Sequence, residues 1–161
     1  MPLHRPSWIV IPKNSDFTLQ NLPYGLCQKG ATFATVTRVG DTVFALAIIE
    51  NLFPYTGLLQ ESSLNAFCGL DPTIHEQIRS RLQELLSLDG DDALRSNKEL
   101  CQAALKAAAD VALVLPIAPG DVTDFYSNQH HATTVGKLFR PDNPLQPNWT
   151  QLPVAYHGRS S

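Results

Sequence analysis

Proline placement constrains this chain more than any other feature. Of its 12 prolines, four fall in residues 1–25, two in 26–115 and six in 116–161. Proline lacks an amide donor and fixes its own φ, so it interrupts helices and paired strands. Regular structure is therefore expected mainly in the middle of the chain. There, residues 31–38 are rich in β-branched side chains, Gly40-Asp41 follows as a turn, and 42–49 reads as a return strand. The poor alternation of 42–49 marks it as buried. Ser62-Ser63 precedes a short helix over 64–67 that ends at Gly69. Asp71-Pro72 starts a longer helix, with Ile74, Ile78, Leu82, Leu85 and Leu86 on one face and an end near Gly90. Residues 98–109 are Ala-rich and predict another helix. Residues 111–115 predict a buried strand, and the whole reads as α+β packing.

Composition narrows the functional classes. The 161 residues are 43% hydrophobic and 17% charged, enough to build a core. The formal charge is -3 and the pI about 5.9, which gives no basic footprint for nucleic acid or for an anionic membrane. The apolar run at 111–115 stops at Pro116, too short to span a bilayer. No secretory leader is visible, and the three cysteines form no C-x-x-C. A cytoplasmic setting is the expectation, with Cys27, Cys68 and Cys101 as small buried thiols. His75 is expected to be exposed, and no role is assigned to His4 or His157.

From Pro116 the chain has little periodicity and many chemically capable side chains. Asp124, Tyr126, His130, His131 and Arg140 fall close together, and Tyr156, His157 and Arg159 follow. A carboxylate can ligate a hard cation. An imidazole takes protons near neutral pH. A guanidinium clamps a carboxylate through paired hydrogen bonds. By residue type alone, such a cluster is more often a solvated loop than an active site. Asp124 then reads as a turn or cap residue, Arg140 as a surface cation, and Tyr126 and Tyr156 as packing aromatics.

Several long stretches favour the chemical reading. Gly-Asp-Val-Thr-Asp-Phe-Tyr-Ser at 120–127, His-Ala-Thr-Thr-Val-Gly at 131–136, Leu-Phe-Arg-Pro at 138–141 and Asn-Pro-Leu-Gln-Pro-Asn-Trp at 143–149 resemble the fumarylacetoacetase family. So do Leu-Pro-Val-Ala-Tyr-His-Gly-Arg at 152–159, Ser-Asp-Phe at 15–17 and Asn-Leu-Pro-Tyr-Gly at 21–25. The resemblance implies a small SH3-like β-barrel amino-terminal domain with added helices over 1–116. It implies the beginning of a mixed β-roll catalytic domain over 117–161. It further implies hydrolysis of the carbon–carbon bond of 4-fumarylacetoacetate to fumarate and acetoacetate, the last step of tyrosine degradation, with Ca²⁺ or Mg²⁺. By motif position, Asp124 resembles a metal ligand, Tyr126, Arg140 and Tyr156 resemble substrate-binding residues, and His131 resembles the general base. His130 does not match the base position. Family members are homodimers through the remainder of the catalytic domain, so a dimer is not implied for this chain.

Two departures stand out. Val122 replaces an aromatic of the family motif, and Asn128-Gln129-His130 differs from a more basic loop. The motif also continues, in the family, past Ser161 into further ligands and oxyanion donors. The expectation is therefore that this polypeptide alone is not a competent hydrolase. The alternative is a non-catalytic truncated product acting at most as a binding module.

Overall fold

Three consecutive antiparallel strands organise the first part of the chain: β1 (Tyr24–Lys29), β2 (Thr32–Val39) and β3 (Thr42–Ala45). The computed structural model describes residues 5–29, 32–152 and 154–158. His4, position 31 of the first predicted strand, and Pro153 and Arg159 of the 152–159 motif lie outside the described residues. Gly40 turns the chain between β2 and β3 at φ 55, and a Cβ there would lie 2.5 Å from the Val10 carbonyl oxygen. The turn therefore demands glycine twice over, by conformation and by space.

The predicted return strand ends early. Residues 46–49 leave the sheet in a 3₁₀ helix, Leu46–Leu52, because Leu46 and Ile49 then both reach the core. At i, i+3 spacing these two side chains eclipse on one face of such a helix. Next come α1 (Asn65–Cys68), α2 (Pro72–Leu86) and α3 (Lys98–Ala104). Asp71 caps α2 by accepting from the Thr73 amide, and Pro72 opens it. Ile78, Leu82, Leu85 and Leu86 are buried along α2. The helix stops at Leu86 rather than near Gly90. Its last carbonyls are taken from outside: Trp8 Nε1 donates to the Leu85 oxygen at 2.8 Å and Ser7 Oγ to the Leu86 oxygen at 2.9 Å. Such partners end a helix by satisfying its orphan acceptors.

The helix expected over 98–109 breaks after Ala104. Leu105–Ala107 becomes strand β4, paired antiparallel with β3. Edge pairing to Thr42, Val43 and Phe44 overrides the helical preference of alanine. Strand β5 (Leu113–Val114) pairs with β1. It is an edge rather than a buried strand: Leu113 is 67% exposed and Leu115 85%. The five-stranded sheet runs β4-β3-β2-β1-β5. The fold is α+β. Among the described residues the sheet is open, with β4 and β5 as its edges, whereas the barrel of the resemblance would close.

The core gathers Leu19, Leu22, Phe44, Ile49, Phe67 and Leu94 with the buried face of α2. His75 is not exposed as expected but half-buried, its ring edge-on to Phe67 at 4.6 Å. The thiols also differ from expectation: Cys27 and Cys101 are half-buried and Cys68 is exposed. Asn65 fixes the segment leading out of the sheet, donating to the Ala118 carbonyl at 2.7 Å and accepting from its amide at 2.9 Å.

The chain divides into two compact units, Met1–Ala118 and Pro119–Ser161. The second holds β6 (Thr123–Asp124), α4 (Gln129–Phe139), a 3₁₀ turn at Pro147–Thr150 and β7 (Tyr156–His157). Helix α4 lies where little periodicity was legible. Its Asn128 cap accepts from the His131 amide at 2.9 Å. No described helix is long and apolar enough to cross a membrane.

Candidate functional site

Three of the chemically capable residues of the second unit, Asp124, His131 and Tyr156, collect around Tyr126. Strands β6 and β7 pair antiparallel, setting Asp124 opposite Tyr156 and Thr123 opposite His157. Past β6 the chain turns sharply. Asp124 Oδ1 accepts from the Tyr126 amide at 2.7 Å, and Tyr126 adopts φ 50. A left-handed tyrosine is strained, and such residues concentrate where side-chain direction matters. Trp149 Nε1 donates to the Tyr126 carbonyl at 2.9 Å and holds this turn from the other side.

The resulting ring contacts are specific. Tyr126 meets His131 edge-on at 5.5 Å and 78°, and Tyr156 at 6.1 Å and 85°. Both are favoured T-shaped arrangements of aromatic quadrupoles. Cap residue Asn128 sets the start of α4 and so places His131 in its first turn. Tyr126 is half-buried, while Asp124, His131 and Tyr156 are exposed. A shallow pocket of about 260 Å³ lies alongside, lined by Phe125, Tyr126, Ser127, Trp149, Leu152 and Val154.

Residues 20–116 match the family described as Fumarylacetoacetase N-terminal. The chain belongs to that family. It is similar to the fumarylacetoacetases of Caenorhabditis elegans, Mus musculus and Rattus norvegicus, at 44%, 42% and 41% identity. Each similarity covers 96% of this chain and 39% of the relative. The chain thus spans about two fifths of the length of the curated fumarylacetoacetases it matches.

Of the residues read from the fumarylacetoacetase motifs, four come together: Asp124, Tyr126, His131 and Tyr156. Arg140 does not join them. It is the C-terminal cap of α4, its amide bonded to the Gly136 carbonyl at 2.8 Å, and it is exposed. His131 lies at the other end of that helix, roughly 13 Å away at 1.5 Å per residue. His130 stands beside His131 on α4, and no ring contact joins it to Tyr126 among those described.

Sequence reasoning assigned nothing to His157, yet its imidazole is engaged on both nitrogens. Nδ1 lies 3.0 Å from Thr123 Oγ1, and Nε2 lies 3.1 Å from Asp121 Oδ2. No local signal marks it: Asp121 precedes β6, and only the pairing of Thr123 with His157 brings these residues together.

Among the described residues no group of three or more His, Cys, Asp or Glu could hold a metal ion. A Ca²⁺ site takes six to eight oxygens. Asp124 already commits Oδ1 to the Tyr126 amide. These residues by themselves therefore do not fit a calcium or magnesium site.

Proposed function

We propose that this chain supplies the amino-terminal domain, residues 1–116, and the opening catalytic segment, 117–161, of a fumarylacetoacetase. On this reading the complete enzyme hydrolyses 4-fumarylacetoacetate to fumarate and acetoacetate in tyrosine breakdown, in the cytoplasm. What supports it is one observation: Tyr126 touches both His131 and Tyr156 while Asp124 holds its amide. The finer architecture goes with the same reading, an SH3-like arrangement for the first unit and a mixed β-roll begun by β6 and β7.

The residues divide the work as follows. His131 takes a proton from water, which adds to the carbonyl carbon on the fumaryl side. The carbon–carbon bond breaks, its electron pair passes to the acetoacetate carbon, and that carbon takes up the proton. Tyr126, edge-on to the imidazole, restrains its orientation. Tyr126 and Tyr156 bind the substrate by phenol and ring. Arg140 holds a terminal carboxylate of this extended diketo diacid, which explains a cation set away from the base. A divalent ion, Ca²⁺ or Mg²⁺, would stabilise the enolate that cleavage releases. Asp124 would be its one ligand among the described residues, and the rest of the set would have to come from elsewhere.

A chimera tests the reading: this chain in place of the matching part of the nematode relative, assayed for loss of substrate absorbance with Mg²⁺ or Ca²⁺. The chimera turns over, and His131→Ala lowers its rate at least about 100-fold, the usual scale of a lost general base. A folded chimera without activity, or an unchanged rate in His131→Ala, overturns it. The 161-residue chain alone is expected to show no turnover, because its described residues do not complete an ion site. That incompleteness also favours a second reading, in which the chain by itself is a non-catalytic binding module.

A further inference from the structure

We propose that His157 is a positioning residue: its imidazole clips β7 onto β6, and so holds Tyr156 opposite Asp124. The two strands are two residues each, joined through the pairs Thr123–His157 and Asp124–Tyr156. A ladder this short is below what stands alone in water. Side chains alternate along a strand, so Thr123 and His157 share one face and Asp124 and Tyr156 the other. The clip therefore sits on the back of the ribbon whose front carries two candidate site residues.

Its hydrogen bonds close a ring. Thr123 Oγ1 is 3.0 Å from His157 Nδ1. His157 Nε2 is 3.1 Å from Asp121 Oδ2. The other oxygen of Asp121 accepts from the Val122 amide at 2.8 Å, and the Val122 carbonyl accepts from the Gly158 amide at 2.9 Å. The neutral imidazole protonated on Nε2 meets both side-chain partners, accepting from the threonine hydroxyl and donating to the carboxylate. No charge on the ring is required. A one-residue slip of β7 would set His157 opposite Asp124 and send Tyr156 to the back of the ribbon, away from Tyr126. The clip opposes that slip because only the observed register gives the imidazole both partners.

The relevance of the clip to substrate binding rests on the proposed function, but its existence does not. The test reads geometry in the 161-residue chain without substrate, so failure of the clip and failure of the enzymatic reading appear in different experiments. In ¹⁵N-labelled chain, His157→Ala should speed exchange of the Gly158 amide roughly threefold to tenfold, the scale of one net hydrogen bond. It should also remove nuclear Overhauser contacts between the Tyr126 and Tyr156 rings. The α4 amides stay unchanged, which separates loss of register from general loosening. His157→Gln keeps a donor toward Asp121 and His157→Asn keeps an acceptor toward Thr123, so at least one recovers part of both signals. Unchanged Gly158 exchange and ring contacts in His157→Ala, or no recovery in either amide variant, overturns the proposal. Should His157→Ala disturb α4 as well, Thr123→Val decides, since it deletes one hydroxyl. The His157 Nδ1 resonance then moves and Gly158 exchanges faster; no change in either rejects the clip.

Discussion

Glu50 is 3% exposed, and hydrogen bonds hold its charge. Oε1 accepts from the Leu58 and Leu59 amides at 2.7 and 3.0 Å, and Oε2 from Gln60 Nε2 at 2.6 Å. Burial alone would push this carboxyl up. The hydrogen bonds from Gly57, Gln60, Leu59 and Leu58 outweigh burial and hold it below its usual value. The unfolded chain therefore takes up this proton at a higher pH than the folded one. The stabilisation is complete above the unfolded pKa of roughly 4.3 and is lost as pH falls through the lower folded value. Glu50→Gln should cost about 2 kcal/mol at pH 7, read as a lower urea midpoint, because charge-assisted bonds are exchanged for a poorly matched amide. The gap between the two proteins should narrow below about pH 4. Equal midpoints at pH 7 would contradict this account. Nothing in the sequence marked Glu50, since its partners are mostly main-chain amides, which carry no residue signature. The Asp71-Pro72 start of α2 was legible because capping is written in side-chain types. His157 was missed because its partners are 34 and 36 positions away, and only strand pairing brings them near.

At the scale of elements, the same physics separates what was legible from what was not. Helix α2 announced itself by a cap, a proline and a five-residue apolar stripe, each local in sequence. Residues 105–107 misled because alanine-rich sequence favours helix, while an open edge on β3 offered three pairings. Helix α4 was hidden because its stripe is short and small: Ala132, Val135, Gly136 and Phe139 fall at helical spacing, but only Ala132 and Gly136 are buried. What defines it is a cap and a close approach. Asn128 accepts from the His131 amide, and Asn128→Ala should cost about 1 kcal/mol in the exchange protection of the α4 amides. Gly136 packs so tightly that a Cβ would stand 2.0 Å from the Pro144 carbonyl oxygen. That neighbour is backbone and has no rotamer to yield. Gly136→Ala should therefore destabilise the second unit by about 1–3 kcal/mol, the usual cost of overpacking, despite the better helix propensity of alanine. A neutral or stabilising result in the same exchange experiment would show that the 143–146 segment gives way freely.

At the scale of the whole chain, the two units differ in how much apolar surface they bury. The first encloses the core cluster built from Leu19, Phe44, Ile49, Leu82 and their neighbours. In the second, only Ala132 and Gly136 are buried among the described residues, while Phe125, Leu138, Phe139, Leu152 and Tyr156 are 59–77% exposed. Local stability follows buried apolar contact, so residues 119–158 should open at far lower free energy than β1–β3 and α2. Each unit holds one of the chain's two tryptophans, which makes the difference measurable. Trp8 is edge-on to Phe44 at 6.3 Å and bonded to the Leu85 carbonyl. Trp149 is bonded to the Tyr126 carbonyl, at the turn that gathers the candidate site. With Trp8→Phe and Trp149→Phe as complementary single-tryptophan proteins, fluorescence of Trp149 should change at a lower urea concentration than that of Trp8. Amide exchange in 119–158 should run at least about 100-fold faster than in the central strands. Coincident transitions by both tryptophans would mean that the second unit draws its stability from the same cooperative core. The candidate site would then be held far more firmly than its own buried surface accounts for.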